Sequence, residues 1–381
     1  MLFRSIVSTR RILAGFGRRG LFLTDGDQWR RQRRMLAPVF TPANVATLLP
    51  NFIQAATGLV DRLDGKQANL SLSFQETALE AVLRALFSLP DSGQFARIAT
   101  MVRAYFSGPG RPQILDGFAP TEDSLAFATR RRRRFYQAWS NAVDEVITTR
   151  RHSPPTAGGR DVLDLLFAAR DPESGEMLSD LEIRDQCGTM IVAGYETTAR
   201  LLFWATYLLV LDRDEQARLR SEVCAYPPDR VAKLDDPNNW PRLRHTLLEA
   251  LRLYPPVAHL AREALVDDVV AGECIRKGTQ VWISPWVLHR HRKFWENPTA
   301  FQPERFADRP SPWTATTTFI PFGLGPRICI GASFAMAEAQ IMMATLLSHF
   351  AIALHDSRPV LPVATVATAP SHEPSFVLER A

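Results

Sequence analysis

The sequence predicts a mainly helical protein with a small amount of β-sheet, and three observations carry that expectation. Apolar residues recur at helical spacing along most of the chain, start signals precede several of these stretches, and strand-like segments are short and late. With 46% hydrophobic and 22% charged residues, the 381-residue chain can bury a large core and is neither disordered nor collagen-like. Length alone leaves one compact unit or two to three domains open.

The elements justify themselves in order. Thr41-Pro42-Ala43 reads as an N-cap followed by proline at the first helical position, where a missing N–H costs nothing. Ser179-Asp180-Leu181-Glu182 is a capping box, in which serine and glutamate satisfy each other's backbone donors, and it opens a helix to about Leu211. Strands are expected at Gln280-Val281-Trp282-Ile283, after a Lys277-Gly278 turn, and at Ser375-Phe376-Val377-Leu378. Loops are expected at residues 154–159, at Pro227-Pro228 and at residues 235–239. There are no internal repeats or low-complexity tracts.

Arg130 to Arg134 is a run of five arginines in a helical pattern that continues through Phe135, Tyr136, Trp139, Val143 and Ile147. No aromatic interleaving or second basic run accompanies it, so a solvated stretch near a helix end is the expectation and nucleic-acid binding is not. Residues 188–211 are apolar enough to raise a transmembrane span, but Glu196 and Arg200 fall in the middle. A buried helix of a water-soluble fold with no integral membrane segment fits better. Within it, Ala193-Gly194-Tyr195-Glu196-Thr197-Thr198 places a glycine, an acid and two hydroxyls where a core helix needs none, which marks a polar event.

Net charge is +5, and only Lys66, Lys233, Lys277 and Lys293 are lysines. A modest positive charge spread over this length suits an acidic protein partner as well as anything else. Four cysteines, Cys187, Cys224, Cys274 and Cys329, show no paired spacing, which argues against disulfides or tetrahedral zinc and for a reducing, cytoplasmic setting. Arginines at 4, 10, 11, 18 and 19 precede the first acid, Asp25, as in organelle transit peptides, but no continuous apolar stretch makes this a secretory signal or anchor.

The sharpest signal is Phe322-Gly323-Leu324-Gly325-Pro326-Arg327-Ile328-Cys329-Ile330-Gly331, followed by a helical run from Ala332 to Phe350. A lone cysteine is more often a buried thiol than a ligand. Here, glycines on both sides allow close backbone approach to a bulky group, and the positive end of the following helix favours a thiolate. A dinucleotide loop is excluded, because Ile328 stands where the third glycine belongs and Pro326 stiffens the turn.

These residues resemble the haem-binding loop of the cytochrome P-450 family, Phe-Gly-x-Gly-x-Arg-x-Cys-x-Gly, at every fixed position, a coincidence of roughly one in tens of millions of random windows. Trp29-x-x-x-Arg33, Ala193-Gly194-x-Glu196-Thr197-Thr198, Glu249-x-x-Arg252 and Phe301-x-Pro303-Glu304-Arg305-Phe306 follow the family's order, so the resemblance runs from about Arg11 to the C-terminus. It implies the P-450 fold in a single haem-binding monooxygenase domain over residues 1–381. The proline-rich lead, first helix and two strands that normally precede the Trp-x-x-x-Arg helix are expected to be missing.

By the same resemblance the cofactor is haem b, iron protoporphyrin IX, with Cys329 as axial thiolate. An anionic sulfur pushes electron density onto iron and favours O–O cleavage. Phe322 and Ala193 would lie against the porphyrin, and Trp29, Arg33, Arg262 and Arg327 would meet its propionates, as planar permanent cations suit buried carboxylates. For any one of these arginines the bland alternative is a solvated surface side chain. Glu249 and Arg252 alone would be an ordinary intrahelical pair; the resemblance implies a buried cluster with Arg305. Dioxygen activation consumes protons, and Glu196 with Thr197 would deliver them, Thr197 bonding back to Ala193 and opening the helix locally.

The implied reaction inserts one oxygen atom from dioxygen into a small apolar organic substrate. Electrons would come from a separate ferredoxin, flavoprotein or reductase, because no second redox module is encoded. Two other readings stand beside it: a thiolate haem protein driven by peroxide, and a haem-binding protein without activity.

Overall fold

The structure, a computed structural model, describes residues 3–5, 15–63, 67–88, 93–108, 110, 130–152, 161–228, 240–308, 317–356, 358–364 and 367–380. The loops expected at 154–159 and 235–239 lie outside these residues. The remainder is mainly helical with four small antiparallel sheets, as expected. It forms two compact units: residues 1–39, 83–193 and 260–283, and residues 40–82, 194–259 and 284–381.

In the first unit, an aromatic core joins Phe16 to the packed helices Gly93–Ser107 and Arg130–His152, with Gly188 of the Asp180–Leu211 helix against it; the helix Gly26–Leu36 belongs to the same unit. Phe16 meets Tyr105 at 4.8 Å, Trp139 at 4.9 Å and Phe135 at 5.0 Å, and the Trp139 indole donates to the Phe16 carbonyl at 3.0 Å. Gly188 is required here, since a Cβ would stand 2.2 Å from the Phe16 carbonyl oxygen. Asp185 accepts the backbone N–H groups of Arg18 and Arg19 at 2.9 and 2.8 Å, which fixes this basic stretch to the long helix. A sheet in the order Phe3–Ser5, Leu260–Ala264, Gln280–Ile283 completes the unit, with the hairpin Asp268–Val270/Glu273–Ile275.

The five-arginine run opens the Arg130–His152 helix. The expectation of a solvated stretch needs one correction: Arg131, Arg133 and Arg134 are exposed, but Arg132 is buried. A run of one residue type must turn some members inward once its helix docks, because consecutive positions are about 100° apart.

In the second unit, the helix Ala332–His349 is buried along nearly its whole length and packs on the helices Leu49–Arg62, Arg213–Ala225 and Pro241–Leu253. Such a helix is apolar on all sides because neighbours surround it. Its chain leads straight into the strand Phe350–Leu354, which pairs with Phe376–Arg380 in a sheet that also holds Gln67–Ala68. The caps expected at the start of helices are present. Thr41 accepts from the Asn44 amide at 3.4 Å, and Ser179 and Glu182 exchange backbone bonds at 3.0 and 3.3 Å. Asp180–Leu211 is one continuous helix of 32 residues, so the local opening expected at Thr197 does not interrupt it.

Candidate functional site

The Cys329 loop is built from backbone geometry. Gly323 and Gly325 have φ of 76° and 73°, left-handed values that side-chain-bearing residues reach only with strain. The Gly323 amide donates to the Ile320 carbonyl at 3.0 Å, Ile328 to Gly325 at 3.0 Å, and Cys329 to Phe322 at 2.7 Å, closing the loop on itself. The Cys329 side chain is exposed, and the helix from Ala332 begins just beyond it with Gly331 as N-cap. Gly331 differs from the other two glycines: its φ is −90°, and a Cβ there would sit 4.0 Å from the Cys329 sulfur, an ordinary contact. The glycine requirement thus falls before the cysteine rather than on both sides. Cys187 is the opposite case, fully buried with its thiol pushed far up by desolvation, and so inert.

Beneath the loop's approach lies a buried ion cluster. Glu249 and Arg252, both fully buried on the Pro241–Leu253 helix, form a two-point pair at 2.7 and 2.8 Å. Arg305 joins Glu249 at 3.1 Å, and the backbone amide of Gln302 does so at 2.9 Å. The remaining donors of Arg252 reach the carbonyls of His289 at 2.9 Å, Pro298 at 2.6 Å and Ala300 at 3.0 Å. All the N–H directions of the guanidinium are therefore used, a geometry that lysine lacks. Trp295 covers the charge at 5.1 Å from its ring centre.

On the long helix, Glu196 does not stand alone. Arg200 holds its carboxylate from Nε at 2.9 Å and Nη2 at 2.7 Å, and also donates to the Ser71 hydroxyl at 3.1 Å. Thr197 lies one turn beyond Ala193 on the same helix. Gly194 lets Val82 approach, since a Cβ there would be 3.0 Å from a Val82 methyl. Thr198 is buried, and among the described residues its hydroxyl finds no hydrogen-bond partner; both carboxyl oxygens of the fully buried Glu338 are in the same position. Burial pushes the Glu338 carboxyl well above the carboxylate range, and the Thr198 hydroxyl beside it offsets this without reaching standard hydrogen-bond geometry.

Trp29, Arg33 and Arg262, with Ala193 at its end, belong to the first unit, whereas Glu196, Thr197, Phe322, Arg327 and Cys329 belong to the second. Trp29 is buried on the Gly26–Leu36 helix and its amide closes the first turn onto Asp25 at 3.2 Å. Arg262, on the strand Leu260–Ala264, donates to the carbonyl of Ala261 at 2.9 Å. Among the described residues no carboxylate pairs with it, and burial lowers its pKa, so an anion here would relieve a desolvated cation. Arg327 lies in the short helical turn Gly325–Arg327, two residues before the cysteine.

A family profile for cytochrome P450 matches residues 4–377. The chain belongs to the cytochrome P450 family. It is 32% identical to human cytochrome P450 4F12 over 360 residues, 87% of this chain and 68% of the relative. It is 33% identical to cyclooctatin synthase of Streptomyces melanosporofaciens over 340 residues, 86% and 71% of the two chains, and 28% identical to a cytokinin hydroxylase of Arabidopsis thaliana, covering 96% and 72%. Another relative, LUTEIN DEFICIENT 5 of Arabidopsis thaliana, is spanned over 62% of its length. Among solved structures, the haem domain of cytochrome P450DA superposes with a TM-score of 0.83 at 27% identity, covering 100% of this chain and 84% of that one. Cytochrome P450 CYP102L1 does so at 0.81 and 25% identity.

The P450 is thus a haem-thiolate monooxygenase, and its family implies dioxygen, a substrate and a redox partner. The residues present fit the haem that the family implies. The donor chemistry is one exposed thiol at a helix N-terminus, and among the described residues no group of three His, Cys, Asp or Glu could hold a bare metal ion instead. No helix among the described residues is long and apolar enough to cross a membrane.

Sequence reasoning passed over two buried groups of this P450, His289 and Glu338. Glu338 had a readable signal, an acid in an otherwise apolar helical run from Ala332 to Phe350. His289 had none, since His291 stands two residues away in an equally polar context and is exposed.

Proposed function

We propose that Cys329 is the axial thiolate ligand of haem b, with Phe322 and Ala193 against the porphyrin and Trp29, Arg33, Arg262 and Arg327 meeting the propionates. On this reading the whole chain, residues 1–381, works as one haem-binding monooxygenase domain. It acts in the cytoplasm on a small apolar organic molecule and draws electrons from a separate ferredoxin, flavoprotein or reductase. The observation that carries the reading is the exposed cysteine on a loop closed by its own amide at 2.7 Å, immediately before a helix. That arrangement presents the sulfur and stabilises its anion.

Bound haem supplies the reductive activation of dioxygen, which no side chain offers. The chain's own residues handle protons and charge. Glu196 starts as a carboxylate clamped by Arg200 and must loosen that clamp to take a proton from solvent at its carboxylate oxygen. Arg200 keeps Ser71 as a partner meanwhile, so its cation is never left bare. Glu196 then gives that proton to a hydrogen-bonded path that includes the hydroxyl of Thr197, which accepts one proton while releasing its own onward and so ends unchanged.

The test is the absorption spectrum of the haem-loaded, reduced protein under carbon monoxide. A red-shifted Soret band is expected in the wild type and is lost in Cys329→Ser with the fold retained. Turnover that requires a reductase and dioxygen, without added peroxide, is expected in the same preparation. A Cys329→Ser protein that keeps the red-shifted band would remove this assignment.

A further inference from the structure

We propose that His289 is a positioning residue for the cysteine loop: its imidazole Nε2 accepts the Ile320 amide at 2.8 Å and so ties the chain entering the loop to the buried ion cluster. The proposal rests on Cys329 as the haem ligand and adds the part that holds its loop in register.

The connection can be followed atom by atom. Arg252 donates to the His289 carbonyl at 2.9 Å, and His289 also closes the short helix Pro285–Leu288 by donating to the Pro285 carbonyl at 2.8 Å. The backbone on which the ring stands is therefore fixed from both sides. The ring is fully buried and packs on Phe319 at 5.1 Å, which in turn meets Phe306 at 5.0 Å and Trp295 at 6.0 Å. From Ile320 the chain of bonds goes on: the Ile320 carbonyl accepts from Gly323, and the Phe322 carbonyl accepts from Cys329. Two backbone bonds thus separate the residue that His289 holds from the sulfur-bearing residue.

The role needs an unprotonated Nε2, because an imidazolium has no acceptor. Burial, with Arg252 and Arg290 nearby, lowers the His289 pKa to about 3, so the ring is neutral at any working pH. With Nε2 accepting, the ring proton sits on Nδ1, and the backbone groups of Leu251 and Arg252 next to the ring favour it. Ile320 is itself buried, so its N–H has no water to turn to if the ring is removed.

Three haem-loaded proteins test this: wild type, His289→Gln and His289→Leu. Glutamine can offer an amide oxygen near the position of Nε2; leucine fills similar volume and accepts nothing. Two readouts are taken, the thiolate fraction in the reduced carbon monoxide spectrum and hydrogen exchange at the Ile320, Gly323 and Cys329 amides. The expected result is a wild-type-like Gln variant, and a Leu variant with at least tenfold faster exchange at these amides and most of its thiolate band lost. A Leu variant matching the wild type in both readouts overturns the proposal. If the Leu protein does not fold, His289→Asn, whose shorter side chain withdraws the acceptor, is read against the Gln variant in the same way. A wild type that lacks the thiolate band counts against the ligand assignment, while amide exchange still decides the His289 tie.

Discussion

Replacing Glu249 by alanine probes the buried cluster most directly. The carboxylate accepts four hydrogen bonds, two from Arg252, one from Arg305 and one from the Gln302 amide, at 2.7 to 3.1 Å, with no exposure to solvent. Charge-assisted bonds contribute ~1.5–3 kcal/mol each, but they are not additive, because the dominant effect of the change is the fully buried Arg252 cation left without a counter-charge, while the partly exposed Arg305 keeps the Glu296 carbonyl and the Gln302 side chain. Arg252 would keep its three backbone carbonyls and lose its counter-charge in a site sealed by Trp295. Breaking a buried pair from one side costs about 3–5 kcal/mol. For a chain of this length, ~2 °C of melting temperature per kcal/mol is appropriate, giving a fall of roughly 6–10 °C by calorimetry. Haem retention is expected to fall with it. The paired change Glu249→Leu with Arg252→Met should recover part of the loss by removing both charges, but not all of it, since the carbonyls of His289, Pro298 and Ala300 then lose their donor. A Glu249→Ala protein melting within 1 °C of the wild type, with full haem content, would refute the reasoning.

Two further outcomes are expected. Thr197→Ala should keep substrate binding, seen as an unchanged substrate-induced spectral shift, yet divert reductant to hydrogen peroxide; unchanged coupling of reductant use to product would count against the relay. Glu338→Gln should alter the pH dependence of stability. The folded pKa of Glu338 is raised, so the native state keeps its proton while the unfolded chain loses it above the ordinary carboxylate range. Native stability therefore falls by ~1.4 kcal/mol per pH unit from about pH 4.5 until the folded pKa is reached, and glutamine abolishes that slope. The difference in melting temperature, Gln minus wild type, is expected to grow with pH across this window; a constant difference would show that Glu338 does not titrate as a buried acid.

What could be read from the sequence, and what could not, divides on whether an interaction is local. The Ser179–Glu182 capping box, the Thr41 cap and the helix to Leu211 involve residues within a turn of one another, and their spacing is their mechanism. The Cys329 loop was legible for the same reason: its left-handed glycines, Gly323 and Gly325, and its cysteine lie close together along the chain. Glu249 and Arg252 were visible as a pair, but their burial and the third partner, Arg305, came only through resemblance, because 53 and more residues separate the groups that close the cluster. Glu196 shows how a local signal can mislead. The acid and hydroxyls on the helix point to a polar event, yet Arg200, four residues on, already occupies the carboxylate, so the proposed proton delivery has to include loosening that pair. His289 marks the far limit of sequence reading. Its partner Ile320 is 31 residues away, its ring is neutral only because the fold buries it beside two arginines, and nothing in its neighbourhood distinguishes it from His291. A neutral imidazole acceptor is a property of the folded environment rather than of the residue. Groups of this kind, which take their chemistry from burial, are therefore found by asking which buried backbone donors the regular elements leave unpaired.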